Sequence, residues 1–374
     1  MSDVIAWPEL DPAETIALAV ARSDMHYVSC SLIGLDGLAG AAELALLQYG
    51  VMAAYEAQTH FKRALNIDLA AGWDPDTAKA ARMSGKFFAD NKRHLQGVIA
   101  HFKALLEANH QAHFPADRLG VQFDFLRDDL SVITLDQRPY ITSVSAHFLT
   151  GLQPHQTATL DQAGPAAYRL SVGAGNITGA LLDGSGIASH PHAARLDFVA
   201  WDATSTKALP RLFAGELPQT LAMALVTVQS MVRSAEVSSN RTGCGWCAPA
   251  ARKHRFVALY QATMALQDLR SEQPDYVPAE VSEFIDDERT RWVLLNSKLR
   301  NGLIHLGLQD IALSLRPGAS IDDAVTAYTG LTADKADERV NERLHALGET
   351  LTTWMLAAPS SGPSFTEALH APPD

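Results

Sequence analysis

Between residues 14 and 110, apolar side chains return every three or four positions, the spacing of helices with one buried face. The run LAGAAELALLQYGVMAAYEAQTHFKRALNI is rich in Ala and Leu and carries no proline. The following run, GWDPDTAKAARMSGKFFADNKRHLQGVIAHFKALLEANH, opens on a Pro and an Asp. Asp76 is placed to cap a helix whose apolar face holds Phe87, Val98, Phe102 and Leu105. Near residue 112 the pattern changes. FPADRLGVQFDFLRDDLSVITLDQRPYITS has short runs of Val, Ile, Thr, Phe and Tyr broken by turn residues. From 151 to 212 the chain is rich in Gly, Pro, Ser and Asp, and YRLSVGAG, ITGALLDG and ARLDFVAWD read as short strands between turns. Helical spacing then returns in four segments, about 213–236, 251–271, 279–306 and 336–357.

The expected fold is therefore mainly α, built of helical bundles with a small β-containing insert in the middle. Residues 1–111 form an N-terminal helical region, 112–212 the insert or linker domain, 213–357 a helical bundle, and 358–374 a flexible Pro/Ser-rich tail. A chain of 374 residues, 47% hydrophobic and 19% charged, can bury a sizeable core. Its formal net charge of −12 argues against a broad basic surface for coating nucleic acid, but not against a local basic pocket. The three cysteines, Cys30, Cys244 and Cys247, do not suggest a disulfide framework. The acidic start has no basic stretch leading into an apolar one, and runs such as AAELALL and LAMALVTV are too short to span a bilayer. These features predict a soluble protein of the reducing cytoplasm, away from membranes.

Several motifs have the residue types of known chemistry. In VGAGNITG the glycines Gly173, Gly175 and Gly179 leave three residues in the second gap, one too many for a dinucleotide loop, so a turn is expected there. Cys244 and Cys247 have the C-x-x-C spacing of half a zinc site, with His254 near in sequence and His190 and His192 in SHPHA, but no second C-x-x-C exists. A redox dithiol would need a preceding strand that the pattern does not supply. Among 14 histidines, His94 and His101 share a helix face, as do Glu56 and His60. No Glu-x-x-His repeat accompanies them, so ordinary packed or surface histidines are expected. No G-x-S-x-G elbow or phosphate loop occurs, and no cofactor is expected.

The segment SKLRNGLIHLG places Arg300, Asn301 and His305 within six residues. Trp292, Leu295, Leu299, Leu303 and Leu306 make an apolar stripe through it, and Arg289, Arg291, Lys298 and Arg300 make it locally basic. Asn301 and His305 share a face if the helix continues, whereas Arg300 and His305 lie roughly 140° apart. Arg300, Asn301 and Gly302 also suit a helix ending, with an Arg in the last turn and Asn or Gly in the left-handed position.

LRNGLIHLG resembles the signature of HEPN domains, the higher-eukaryote and prokaryote nucleotide-binding superfamily: an Arg, commonly followed by Asn, Asp or His, then a His after four to six residues, on a compact helical bundle. Arg300, Asn301 and His305 match with four residues between. The resemblance implies a metal-independent endoribonuclease, of the kind used as toxins or antiviral effectors. The RNA 2′-hydroxyl attacks the neighbouring phosphate and leaves a 2′,3′-cyclic phosphate and a 5′-hydroxyl. His305 would move protons, Arg300 would stabilise phosphate charge, and Asn301 would orient His305 or hold a phosphate oxygen. The resemblance also implies a homodimer whose two motifs face one cleft. A second motif in the same chain is not evident, since Arg93 and His101 are separated by seven residues.

The basic cluster Arg252, Lys253, His254 and Arg255 could hold phosphates beside the cleft, together with Lys298. An acidic chain fits a narrow substrate such as a transfer RNA, or an activity held by a regulatory protein. The alternative is a catalytically silent, HEPN-like dimerisation or RNA-binding module.

Overall fold

The computed structural model describes residues 7–32, 44–69, 79, 88, 95–113, 129–156, 160–182, 198–241, 245–308, 311 and 315–355. In chain order the helices and strands are α1 (Pro12–Leu32), α2 (Leu44–Leu65), α3 (Leu95–His113), β1 (Leu130–Leu135), β2 (Arg138–Thr142), α4 (Ser143–Thr150), α5 (Leu160–Leu182), β3 (Phe198–Ala203), α6 (Ser205–Ala208), α7 (Gln219–Arg241), α8 (Ala248–Glu272), α9 (Ala279–Asp286), α10 (Glu288–Leu295), α11 (Ser297–His305), α12 (Ile321–Thr329) and α13 (Ala333–Trp354). The protein is mainly α with a small antiparallel sheet, as the residue pattern predicts. None of the described helices is long and apolar enough to cross a membrane.

The run LAMALVTV lies in α7, and residues 221–230 are buried without exception. A helix buried all round needs neighbours all round. They are α2, α3, α4, α8, α13 and β2. Two hydroxyls inside α7 are satisfied within the helix: Thr227 donates to the Met223 carbonyl at 2.9 Å and Ser230 to the Val226 carbonyl at 2.8 Å. The largest apolar cluster runs from Ala45 through Phe102, Tyr140, Trp201 and Leu225 to Trp354, drawing on the N-terminal, middle and C-terminal segments alike.

The insert is less β-rich than the sequence suggests. The strands in SVITLDQRPYIT and DFVAWD form, with β1 central in the order β2-β1-β3. Asp136 and Gln137 turn the hairpin at φ 53° and 62°, the two-residue geometry that matches strand twist. In contrast, YRLSVGAG and ITGALL are not strands but the body of α5. Its glycines should weaken a helix, but Ile177 and Leu181, four residues apart, bury against α1 and α2, and that burial overrides local propensity. Arg22 also donates to the Leu181 carbonyl at 2.9 Å, at the helix end.

The predicted helix over 279–306 is broken twice. Asp287 caps α10 by accepting from the Arg289 amide, and it also pairs with the Arg289 and Arg343 side chains. These contacts, led by the Arg289 hydrogen bond, hold its carboxyl down at about 2. At the second break, Asn296 turns its side chain back to the Trp292 carbonyl. The break swings Leu295 out of the expected apolar stripe, to 81% exposure. The expected cap at Asp76, Phe87 of the apolar face, Arg93, the histidines of SHPHA and the tail all lie outside the described residues.

α1, α2 and α5 form an N-terminal layer, which docks on α8 through buried polar groups rather than apolar contact alone. Lys253 pairs with Asp24, their side chains 2% and 1% exposed. The Tyr49 hydroxyl donates to Asp24 at 2.7 Å, and the Ala250 amide donates to Ser23 at 3.1 Å. His254 Nδ1 meets the Tyr27 hydroxyl at 3.0 Å, with the Tyr49 ring 4.3 Å away. Burial pushes the Asp24 carboxyl up, against the pull of Lys253.

Two predictions follow from this packing. At Gly50 an added methyl would sit 2.8 Å from Val28 Cγ1, so Gly50→Ala should cost about 1–3 kcal/mol in urea unfolding. A second change, Val28→Ala, should recover part of that loss. The second prediction concerns pH. Burial drives the His254 pKa down to about 3, so the folded protein keeps the ring neutral while the unfolded chain protonates near 6.5. The stabilisation is complete above that unfolded value and is lost as pH falls towards about 3, by about 1.4 kcal/mol per pH unit. Asn can offer an acceptor near the position of Nδ1 without titrating. His254→Asn should therefore flatten the acid limb of stability against pH by that slope.

Candidate active site

α11 carries the Arg-Asn-x-x-x-His segment. It does not end at Asn301 or Gly302, as a cap there would require. It runs on to His305, and Leu306 takes the left-handed position at φ 56°. Leu299, Leu303 and Ile304 bury its inner face. Gly302 passes so close to α12 that an added Cβ would lie 2.9 Å from the Tyr328 hydroxyl oxygen and 3.1 Å from its ring. The glycine is thus a close-approach residue in mid-helix rather than a terminator.

The three motif side chains have different surroundings. Arg300 is only 9% exposed. Its guanidinium lies 5.8 Å from the centre of the Tyr260 ring of α8 and donates to Asn301 Oδ1 at 2.9 Å. Asn301 is exposed, and with Oδ1 engaged by Arg300 its amide NH2 is the donor group beyond that bond. His305 is at the helix end with its ring 32% exposed, and Nδ1 lies 2.8 Å from Glu56 Oε2. The Glu56 side chain is 5% exposed and comes from α2, 249 residues away in the chain. Arg300 is therefore anchored to α8 and His305 to α2. An apolar slot behind the motif is lined by Phe256, Trp292, Leu299, Leu303, Val325 and Val340, and the three motif side chains do not line it.

The basic cluster takes on a different role from the one expected. Lys253 cannot hold phosphates, because it is buried against Asp24. Arg252 pairs with Asp322 at 2.8 Å and Arg255 with Asp337 at 2.6 Å, so these cations tie α8 to α12 and α13. Lys298 remains exposed beside the motif. Cys247 is disulfide-bonded and so is not a thiolate, and His254 is buried against Tyr27 and Tyr49. Cys244 lies outside the described residues, and no group of three metal-binding side chains occurs among them.

No family model, curated protein or solved structure matches the chain. What the site can do rests on its own geometry.

The sequence reading missed Glu56 as a partner of His305. Its signal was faint: Glu56 and His60, four apart, on one face of a largely apolar segment. Both are buried, and His60 Nε2 pairs with Glu14 at 2.9 Å. A carboxylate and an imidazole on the buried face of a helix each need a polar partner from elsewhere. Here the partners come from α1 and α11.

The buried pair is the sharpest test of the changed role of Lys253. Lys253→Ala strands the Asp24 carboxylate and should cost about 3–5 kcal/mol of unfolding free energy. The corresponding change at exposed Lys298 should move stability by less than about 0.5 kcal/mol.

Proposed function

We propose that the chain is a metal-independent endoribonuclease acting through His305. The observation that carries this reading is the contact between His305 Nδ1 and buried Glu56, on a ring that solvent still reaches, within an Arg-Asn-x-x-x-His helix. RNA brings its own nucleophile, so the protein need only transfer protons and steady charge on the phosphate. His305 accepts the 2′-hydroxyl proton or returns one to the leaving 5′-oxygen. Arg300 is too deeply seated to be the main phosphate contact of a single chain. It fixes Asn301 instead, and the exposed Asn301 amide and Lys298 ammonium face the phosphate. A single chain supplies one such histidine, so the reading includes a homodimer in which two copies of α11 share one cleft, one His305 as base and the other as acid. The acidic chain suits a restricted substrate such as a transfer RNA, and use as a toxin or antiviral effector.

A second reading is favoured by one specific observation. Arg300 is 9% exposed, and the cations of Arg252, Lys253 and Arg255 are each matched by a carboxylate. Cations matched in that way leave little charge for phosphates, which suits a catalytically silent dimerisation or interaction module.

Cleavage of total and transfer RNA in EDTA separates the two. Wild-type protein should cut, leaving 2′,3′-cyclic phosphate ends. His305→Ala should lower the rate by about 10²-fold or more, as expected for loss of a general acid or base. A wild type that dimerises and cuts no RNA would favour the second reading.

A further inference from the structure

The N-terminal layer does more than pack against the C-terminal bundle. α2 presents three polar side chains along one buried face, at positions 49, 56 and 60, spaced by seven and four. Between them they meet α1, α8 and α11. Tyr49 reaches Asp24 of α1 and the Ala250 carbonyl of α8, Glu56 reaches His305 of α11, and His60 reaches Glu14 of α1. Glu56 is thus the middle anchor of a stripe fixed at both ends. Met52, Ala53, Ala57 and Phe61 pack the helix around it. A carboxylate set in such a helix has little freedom of position, and its 5% exposure leaves water a small share of its solvation.

We propose that Glu56 is a positioning residue that fixes the tautomer and orientation of His305. A carboxylate accepts hydrogen bonds and does not donate them, so the bond to Glu56 requires a hydrogen on Nδ1. The neutral ring then carries its lone pair on Nε2, at the edge facing away from Glu56. The same carboxylate stabilises the imidazolium once Nε2 has taken a proton. Without it, an imidazole at a helix end would exchange between tautomers and rotate. The catalytic consequence rests on the ribonuclease reading above. The tautomer itself does not, and the two are tested separately.

This assignment makes the N-terminal layer part of the site. The Asp24–Lys253 pair and the Glu56–His305 pair lie on the same docking surface between that layer and the C-terminal helices. A pair that only fastened α11 to α2 would contribute to stability and leave the ring chemistry unchanged.

The test uses the full chain labelled with 15N-histidine. Long-range 1H–15N spectra above neutral pH report which ring nitrogen is protonated, and His305→Ala assigns the signal. Wild type should show Nδ1–H. Glu56→Met, which keeps the volume and removes the acceptor, should shift the ring towards Nε2–H and leave the His60 signal in place. In RNA cleavage its kcat should fall by about 10–100-fold with KM nearly unchanged. Glu56→Gln keeps the shape and one acceptor oxygen, and carries the test if the Met variant does not fold. It should hold the Nδ1–H tautomer, because that oxygen still accepts, but lose kcat with the charge. An Nδ1–H signal unchanged in folded Glu56→Met overturns the assignment. So does wild-type kcat in both variants when His305→Ala is inactive. A tautomer shift in a protein whose wild type cuts no RNA upholds the role of Glu56 and overturns the ribonuclease reading alone.

Discussion

The ion pair between Lys253 and Asp24 is the contact on which the rest of the arrangement depends. Both side chains are almost wholly removed from water, and neither charge is tolerable there alone. They come from α8 and α1, so the N-terminal layer and the C-terminal bundle must dock in one register to bring them together. Tyr49 adds a hydrogen bond to the same carboxylate, which sets α2 along α8. With α2 placed in this way, Glu56 lies within reach of α11. An apolar interface could slide by a fraction of a helical turn at small cost. A buried charged pair cannot, because a small displacement separates the charges in a poorly screening interior.

The same logic explains why the dense basic stretch of α8 does not present itself to a ligand. Consecutive helical residues point in different directions, so Arg252, Lys253 and Arg255 diverge onto three neighbours. Each finds a carboxylate, on α12, α1 and α13 respectively. A cluster in sequence becomes three separate ties in space. Asp287 has the complementary role at the surface, where it caps α10 and gathers two arginines.

α11 shows how little separates a helix ending from a site. Arg-Asn-Gly at residues 300–302 has the composition of a terminator, yet the helix continues because Gly302 is needed for the approach of Tyr328 and Arg300 is held by Tyr260. The ending moves to Leu306, which leaves His305 in the last turn with its ring about a third exposed. A histidine in that position, held from behind by a carboxylate, is what the proposed proton transfer calls for.

The sequence by itself determined the helical class, the helix that carries LAMALVTV, and the strand character of SVITLDQRPYIT and DFVAWD within a small β-containing insert. All of these are local: they follow from residue spacing, turn preference and composition within a few tens of residues. Only the tertiary structure decided that the glycine-rich stretch of α5 is helical, that the 279–306 segment breaks at Asp287 and Asn296, and that Lys253 is buried. It also decided that His305 meets Glu56 from 249 residues away. Each of these depends on a partner distant in the chain, whether an apolar face to bury against or an opposite charge to meet. Local spacing carries no record of which distant residue will be that partner.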